Sequence, residues 1–333
     1  MVRLIDVARE AGVSLSAASI VLGGHSRTIG ASQETRRRIL EAAKRLGYTP
    51  SPAAVSLSTG KTNTLGLLIS NPTAYLTHPN GALTLVSMCN SAAEQGYRVL
   101  LAAFSPKTSI DVRLMDACAV IGSVDEDCIH RLEELAKRIP VLVTYRRITG
   151  AIFASIDGSV KAEFSIAANY LYDQGHRHIV VADVLYRTHL AIDEFRAVAQ
   201  RRNLDVQLHS VTDQWRDRTY PTVEQICRMD PLPTAVFAFD DDYARALVAR
   251  LARDRRRVPE DVSVFSGETH PTGFQIAPPL TGTYIHQEQQ WASVMRKLID
   301  VLRSDEKSTA DIMLLPEPPQ LIVRQSCAAP RAS

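Results

Sequence analysis

A chain of 333 residues, 45% of them hydrophobic, is too long for one ordinary core and can bury two or three. Its five cysteines are scattered, odd in number and without metal-site spacing, which excludes a disulfide framework and favours reduced thiols in the cytoplasm. No apolar run reaches membrane-spanning length and the first residues are charged, so neither a transmembrane helix nor a secretion signal is expected.

The net charge of +2 is unevenly distributed along the chain. The first 60 residues hold eight Lys and Arg against four Asp and Glu, whereas the remainder holds 30 against 32. A basic end on a near-neutral body is typical of a protein with a polyanionic partner, although a solvated helix face explains the same charge.

Three short helices are predicted in residues 1–49. Leu4, Val7, Ala8 and Ala11 repeat at helical spacing before Gly12, a residue suited to ending a helix. The apolar Val13 is expected to pack at the junction between this helix and the next. Ser14 is expected to cap the second helix, which runs from Leu15 to about Leu22. Such closely joined helices cross steeply and leave the front of the second one protruding, which is the helix-turn-helix arrangement.

A third helix is predicted after Ser32, with Ile39, Leu40, Ala43 and Leu46 packing beneath the first two. Residues 50–61 then read as a hinge, in which Ser51 caps a helix and Pro52 occupies its first position. This helix is too short to persist in water unless something buries it.

From residue 62 onward, apolar β-rich runs alternate with helical stretches, which predicts parallel sheets covered on both faces and two doubly wound α/β lobes. Ligands of such folds bind beyond the carboxyl ends of the strands, and with two lobes the expected site is the cleft between them. Polar side chains at these strand ends are Ser70, Asn71, Tyr145, Arg146, Asp183, Asp240 and Asp241.

Several stretches along the sequence resemble the lactose-repressor/galactose-repressor (LacI/GalR) family. The resemblance starts at LIDVAREAGVS and LGYTP and continues through TLGLLIS, YLYDQGHRHIVV, PTAVFAFDDDYARAL, VPEDVSVF and PPLTGTYIHQ, in that order over most of the chain. It implies a helix-turn-helix head in residues 1–49, a hinge in 50–61, and an effector-binding and dimerisation domain of the type I periplasmic-binding-protein kind in 62–333. The implied function is a transcriptional regulator, usually a repressor, that binds a pseudo-palindromic operator as a homodimer.

By this resemblance Leu15, Ser16 and Ile20 occupy base-reading positions, and Leu57 occupies the position of a leucine that enters the minor groove. Many relatives have a polar residue in place of Ile20 and an arginine in place of Val55, so thymine methyl contacts and DNA deformability are expected to matter more. The full set of candidate DNA contacts is Arg3, Ser14, Leu15, Ser16, Ser19, Ile20, His25, Arg27, Thr35 and Leu57.

The resemblance adds Trp215 as an aromatic that packs against a sugar face. The candidate effector contacts are then Asn71, Tyr145, Asp183, Trp215, Asp240, Asp241, Glu268 and Gln287. An arginine common in relatives is replaced by Ala191 or a neighbour, with Arg187 as a substitute, while carboxylates are gained. A neutral sugar, polyol or nucleoside is therefore expected rather than an anionic effector.

Two other classes of function are compatible with parts of the sequence. A sugar- or nucleotide-modifying enzyme would need a phosphate loop, nucleophile elbow or zinc motif, and we find none, so no catalytic residue, metal or cofactor is expected. His176 and His178 fit a helix-strand corner better than a metal site. A DNA-binding architectural protein without a ligand is the second alternative, which binding in the presence of effectors would test.

Overall fold

The computed structural model describes residues 2–23, 32–49, 56, 59–70, 72–77, 79–122, 124, 126–144, 154–156, 160–184, 188–213, 220–267, 274–303 and 318–331. Within this part of the chain, none of the helices has both the length and the apolar character needed to span a bilayer.

The first 49 residues form three helices, α1 (Leu4–Ala11), α2 (Leu15–Leu22) and α3 (Gln33–Leu46). Val7, Ala18, Ile39 and Ala42 are fully buried where the three helices meet. The prediction for Leu40 is wrong, because its side chain is 48% exposed. At about 100° per residue, positions 39, 42 and 43 share the inner face, whereas position 40 lies about 100° from position 39 and turns outward.

Of the segment predicted as a hinge, the structure describes Ser56 and residues 59–61, and Ser56 and Thr59 are helical. The N–H of Gly60 donates a hydrogen bond to the carbonyl of Ser56 at 2.8 Å, which closes one helical turn. Gly60 then ends the turn in the left-handed region, at φ +69°. Both residues line a groove on the following lobe, so this lobe supplies part of the burial that a short helix needs.

The N-terminal lobe is a five-stranded parallel sheet in the order β2-β1-β3-β4-β5. Its strands are β1 (Thr64–Ile69), β2 (Arg98–Ala103), β3 (Ala117–Ile121), β4 (Val141–Thr144) and β5 (Ala154–Ile156). Its helices are α4 (Pro72–Thr77), α5 (Pro79–Glu94), a 3₁₀ turn (Val112–Leu114) and α6 (Glu126–Ala136).

In the C-terminal lobe the described residues form a six-stranded sheet in the order β11-β10-β9-β8-β6-β7, in which β11 is antiparallel to β10 and the other neighbouring strands are parallel. Its strands are β6 (His178–Val184), β7 (Gln207–Asp213), β8 (Ala235–Ala238), β9 (Ser263–Ser266), β10 (Thr281–Tyr284) and β11 (Gln320–Ile322). The remaining helices are α7 (Val160–Asp173), α8 (Thr188–Arg201), α9 (Pro221–Cys227), α10 (Asp241–Arg253) and α11 (Gln287–Arg303).

Successive residues of the buried strands face opposite layers of each lobe. In β6, Val180 packs towards α9 and α10, whereas Ile179 and Val181 pack towards α7 and α8. In β1, Leu67 and Leu68 divide in the same way between the two faces of the first sheet. Helices cover both faces of both sheets, which confirms the predicted pair of doubly wound lobes.

Helix α11 joins the two lobes in a way that the sequence did not reveal. It follows β10 of the C-terminal lobe, but Trp291, Met295 and Leu298 are buried in the core of the N-terminal lobe. The hydroxyl of Ser91 on α5 donates to the carbonyl of Ala292 at 3.2 Å. The chain then returns to the C-terminal lobe at β11, so three connections cross between the lobes: β5 to α7, β10 to α11 and α11 to β11.

Candidate nucleic-acid interface and ligand cleft

The corner between α1 and α2 is fixed by three local features. Gly12 ends α1 in the left-handed region at φ +61°, which avoids the steric cost that a side chain would bring. The guanidinium of Arg38, from α3, donates to the carbonyl of Ala11 and, at 3.3 Å, to that of Gly12. Ser14 caps α2, since its hydroxyl accepts from the N–H of Ala17 at 3.2 Å. The front of α2 is therefore held in one orientation.

One side of α2 packs into the head and the other side faces solvent. Ala18 and Val21 are buried, whereas Leu15 is 48% exposed and Ser16 is exposed. Ser14 is exposed as well, and Ser19 and Ile20 are half-buried at the edge of this surface. The exposed side offers hydroxyl groups and alkyl carbons but no charge. It can reach base edges through thymine methyl contacts and through single hydrogen bonds from serine.

Two further predicted DNA contacts frame this surface. Arg3 is exposed, and its guanidinium lies 3.9 Å from the Asp6 carboxylate, which itself accepts from the Arg3 backbone N–H at 2.9 Å. Thr35 is half-buried in the first turn of α3, where its N–H donates to the Ser32 hydroxyl at 3.1 Å. His25, Arg27 and Leu57 lie outside the described residues.

Arg36 is a candidate contact that the sequence reasoning missed. Its side chain is exposed on α3 and makes no ion pair or hydrogen bond with any described residue, whereas the neighbouring Arg37 pairs with Glu34 at 2.8 Å. Its place directly after Thr35, a predicted contact, was the available signal. An uncompensated guanidinium at this position is suited to a backbone phosphate.

Three carboxylates predicted as effector contacts lie at the carboxyl ends of neighbouring strands of the C-terminal lobe. Asp183, near the end of β6, is fully buried. Asp240 follows β8 and caps α10, with its Oδ1 accepting from the N–H of Tyr243 at 2.8 Å. Asp241 is 6% exposed and accepts from the Ser266 hydroxyl, at the end of β9, at 2.7 Å. Since β6, β8 and β9 are adjacent, the structure brings these three side chains to one edge of the sheet.

A cluster of aromatic rings supports this edge. The ring centroids of Tyr220 and Tyr243 are 5.3 Å apart, and Phe239 lies 5.1 Å from Tyr243 and 6.2 Å from Tyr220. The Tyr243 hydroxyl also lies 2.7 Å from that of Thr222. Sequence reasoning missed Tyr220, although an aromatic residue directly before the proline that opens α9 was a usable signal.

The N-terminal lobe contributes a hydroxyl at the matching edge of its sheet. Ser70 follows β1, and its Oγ is buried and has no hydrogen-bond partner among the described residues. Gly122, after β3, has φ +100°, and a Cβ there would lie 2.6 Å from this Oγ. The glycine leaves room for the Ser70 side chain, so one polar atom at this strand end is available to a ligand.

Most of the remaining residues that were predicted around the effector belong to segments outside the described part of the chain. Asn71, Tyr145, Arg146, Arg187, Trp215 and Glu268 lie outside the described residues, and only the backbone of Gln287, the first residue of α11, is described. Ala191 is fully buried in α8, so its side chain belongs to the core.

The histidine pair at the start of β6 has a structural role. His176 is fully buried, with Nδ1 3.0 Å from the Thr234 hydroxyl and Nε2 2.9 Å from the Ala328 carbonyl oxygen. Burial lowers the pKa of His176 to about 4, so the ring is neutral at pH 7. Among the residues that the structure describes, no three His, Cys, Asp or Glu side chains are arranged to hold a metal ion.

Comparison with known proteins identifies both parts of the chain. Residues 3–51 match the family model of bacterial regulatory proteins, lacI family, and residues 168–327 match that of the periplasmic binding protein-like domain. The chain is 28% identical over 333 residues to the HTH-type transcriptional repressor PurR of Vibrio cholerae, covering 95% of this chain and 96% of the relative.

Two solved structures share the whole architecture. The lac repressor dimer bound to operator and the anti-inducer ONPF matches with a TM-score of 0.80 at 19% identity, covering 98% of this chain and 99% of that one. The complex of the transcriptional regulator CelR with cellobiose matches with a TM-score of 0.66 at 22% identity, covering 98% and 100%. At these identities the likeness establishes a common fold, with a helix-turn-helix head followed by two α/β lobes.

Proposed function

Because the chain belongs to the lacI family of bacterial regulatory proteins, it is a DNA-binding transcriptional regulator, and we propose that it is a repressor whose homodimer binds a pseudo-palindromic operator. A small molecule held between the two lobes controls this binding. The family consists of regulators, so the enzyme alternative is set aside. We further assign the protein to the cytoplasm, where its DNA target lies and where the free thiols of the described cysteines remain reduced.

The observation that carries this proposal is the exposed side of α2. Leu15, Ser16 and Ile20 lie at its front and edge, and we assign them to base contacts in the major groove. Arg3, Ser14, Ser19 and Thr35, together with His25 and Arg27 of the following loop, are assigned to positioning on the phosphate backbone. Leu57 is assigned to the central minor groove, where an apolar wedge kinks the duplex and increases contact.

The corresponding division of the chain is a DNA-binding domain in residues 1–49, a hinge in 50–61 and an effector-binding and dimerisation domain in 62–333. Two copies are needed because a single short recognition helix reads only one half-site, and two-fold symmetry of the protein requires a two-fold-related operator. The lac repressor structure that shares this fold is itself a dimer on its operator.

Selection of bound sequences from random DNA tests the DNA-binding assignment. We expect enrichment of sites with two-fold symmetry, and Leu15→Ser should weaken binding to the selected site by at least tenfold. Leu40→Ser is the matched control, because Leu40 is also 48% exposed in the head but lies on α3. If no symmetrical sequence is enriched over bulk DNA at moderate salt, the proposed function is wrong.

For the ligand we propose a neutral sugar or nucleoside. Its hydroxyl groups would donate to Asp183, Asp240 and Asp241, and the Oγ of Ser70, which has no hydrogen-bond partner among the described residues, would complete the site from the opposite lobe. Asn71, Tyr145, Trp215, Glu268 and Gln287 are assigned to the same cleft, with Trp215 packing against the apolar face of a sugar ring. The CelR relative holds cellobiose, a neutral sugar.

A panel of sugars, nucleosides and their phosphates, screened by thermal shift and by DNA binding, identifies the effector. Asp241→Asn should abolish the response while operator affinity without effector stays within twofold. Asp193→Asn is the matched control, because its exposed carboxylate pairs with Arg196 on the outer side of α8. A response confined to phosphorylated compounds would contradict the proposed ligand class, and DNA binding unaffected by the whole panel would favour the ligand-free architectural alternative.

We assign the coupling between ligand and DNA to the hinge. A ligand can shift the DNA-bound population only by its difference in affinity between two states, and a short hinge helix of marginal stability supplies two such states. Amide exchange of residues 50–61, measured on operator with and without effector, should change together with DNA affinity. Unchanged protection despite lost affinity would exclude this route.

A further inference from the structure

A basic groove of about 1110 Å³ lies at the amino-terminal ends of the strands of the N-terminal lobe, against the end of the hinge. Its described lining includes Ser56, Gly60 and Thr62 of the hinge and linker. Five cationic side chains line it, and Asp116 is the one acidic residue among the described lining. The cations are Lys61, Arg98, Arg113, Arg138 and Arg303.

Most of this positive charge has no carboxylate partner among the described residues. In this part of the chain only Arg113 has one, since it contacts Asp111 at 2.8 Å and holds the pKa of that carboxyl at about 2. Arg98 donates to the Thr62 carbonyl at 2.8 Å, and Arg303 donates to a glutamine amide, so both bond to neutral groups.

The Arg138 side chain makes no hydrogen bond or ion pair with any described residue, and all five cations are solvent-exposed. The carboxylate of Asp116 is directed to the linker, accepting from the N–H groups of Thr62 and Asn63 at 2.7 and 2.8 Å. The groove therefore carries an uncompensated positive charge next to the segment that leads to the DNA-binding head.

The position of the groove along the chain limits its distance from DNA. Lys61 follows Leu57 by four residues, so their Cα atoms are at most about 14 Å apart even if the chain is fully extended. If Leu57 enters the minor groove, as the proposed function holds, the flanking phosphates lie within reach of long side chains on this rim. This step rests on the proposed function.

We propose that this groove is a second, sequence-independent DNA contact, in which the N-terminal lobe binds backbone phosphates beside the minor groove that Leu57 opens. The cations come from the linker, β2, the 3₁₀ turn and the ends of α6 and α11, so they are distributed over the rim instead of converging on one point. A distributed set suits a strand of phosphates better than a single small anion. The contact links lobe position directly to DNA affinity.

The salt dependence of operator binding tests this inference. The plot of log affinity against log salt has a negative slope, and each lost phosphate contact reduces its magnitude by about 0.9. A homodimer loses two such contacts, so Arg138→Gln should reduce the magnitude by about 1.8. Arg303→Gln should act in the same direction. Arg256→Gln is the matched control. Arg256 also follows the end of a helix, is exposed, and makes no side-chain hydrogen bond or ion pair with the described residues, but it lies on the C-terminal lobe.

The outcomes separate this inference from the proposed function. If the wild-type protein selects no operator, the proposed function fails first. If it binds an operator but the slopes of Arg138→Gln and Arg303→Gln equal that of the wild type, the groove does not contact DNA. A change in melting temperature with an unchanged slope would mean that these arginines only stabilise helix ends.

A second measurement replaces backbone phosphates beside the operator centre with neutral methylphosphonates and determines the binding affinity again. They should weaken wild-type binding more than binding by Arg138→Gln, since the variant has already lost the contact. A free phosphate compound is the other ligand that the same cations would bind, and titration with inorganic diphosphate tests for it. Saturable binding that Arg138→Gln removes, with an unchanged salt slope, would make the groove a small-anion site and overturn the proposal.

Discussion

Two side chains attach the linker end at Thr62 and Asn63 to the N-terminal lobe: Arg98, which donates to the Thr62 carbonyl at 2.8 Å, and Asp116, which makes more of these hydrogen bonds. Its Oδ1 accepts from both the N–H and the hydroxyl of Thr62, at 2.7 and 2.9 Å, and its Oδ2 accepts from the N–H of Asn63 at 2.8 Å. Hydrogen bonds to charged groups contribute about 1.5–3 kcal/mol each when they are fully buried. Asp116 is half-buried, so water replaces part of this, and we expect Asp116→Ala to lower the free energy of linker opening by about 3 kcal/mol.

Asp116→Asn should have about half this effect. Its single amide oxygen can serve either Thr62 or Asn63, and its NH₂ group then faces the N–H of the other residue. Hydrogen exchange of residues 62 and 63 measures the effect directly, and a loss of 3 kcal/mol corresponds to exchange that is about 100-fold faster. Asp111→Asn is the control, because Asp111 bonds within its own exposed turn. Unchanged exchange in Asp116→Ala would refute this account of the linker.

Three further substitutions test other parts of the fold. Gly12→Ala should destabilise the head by about 1–2 kcal/mol and weaken DNA binding, because φ is +61° and the new Cβ would lie 3.0 Å from Nη2 of Arg38; circular dichroism and operator titration measure this. Gly282→Ala should sharply lower the melting temperature, since its Cβ would lie 2.1 Å from the backbone oxygen of Ser266, and a wild-type melting temperature would contradict the strand spacing. The third concerns acid: the folded-state pKa of His176 is about 4 and its ordinary value is 6.5, so its contribution is complete above pH 6.5 and is lost as the pH falls towards 4. Between pH 6.5 and pH 4, the free energy of unfolding should fall by about 3 kcal/mol more in the wild type than in His176→Asn. Equal pH dependence of the two proteins would exclude this titration.

The sequence predicted the elements whose signal is local. The helix-turn-helix was identifiable because Gly12 and Ser14 define the corner by themselves, and the structure confirms both as caps. The apolar β-rich runs are present as strands β1 to β4 and β6 to β9. Strands β5, β10 and β11 were not predicted, because their sequences, ASI, TGTY and QLI, contain no run of apolar residues long enough to indicate a strand. Leu40 was wrongly predicted to be buried. The apolar stripe of α3 is broad, and the sequence pattern does not decide whether position 40 or position 42 lies at its margin.

The ligand cleft was predicted in part. Asp183, Asp240 and Asp241 do lie together at one sheet edge, because the carboxyl ends of adjacent parallel strands must meet there. Tyr220 and the pairing of Asp241 with Ser266 were not predicted, since they depend on how α9 and β9 pack against α10. The return of α11 to the first lobe was missed for the same reason: its apolar face indicates burial but not against which sheet.

The path of α11 also has a consequence for how the protein is made. The described strands of the N-terminal lobe, β1 to β5, have all been synthesised by residue 156. Its core is completed only when Trp291, Met295 and Leu298 follow. At about 5–20 residues per second, the ribosome needs roughly 7–30 s to supply the intervening residues. During that interval one face of the sheet is covered by α4 and α5 without α11, so part of its apolar surface stays exposed on the nascent chain. This lobe, although first in sequence, therefore finishes folding late.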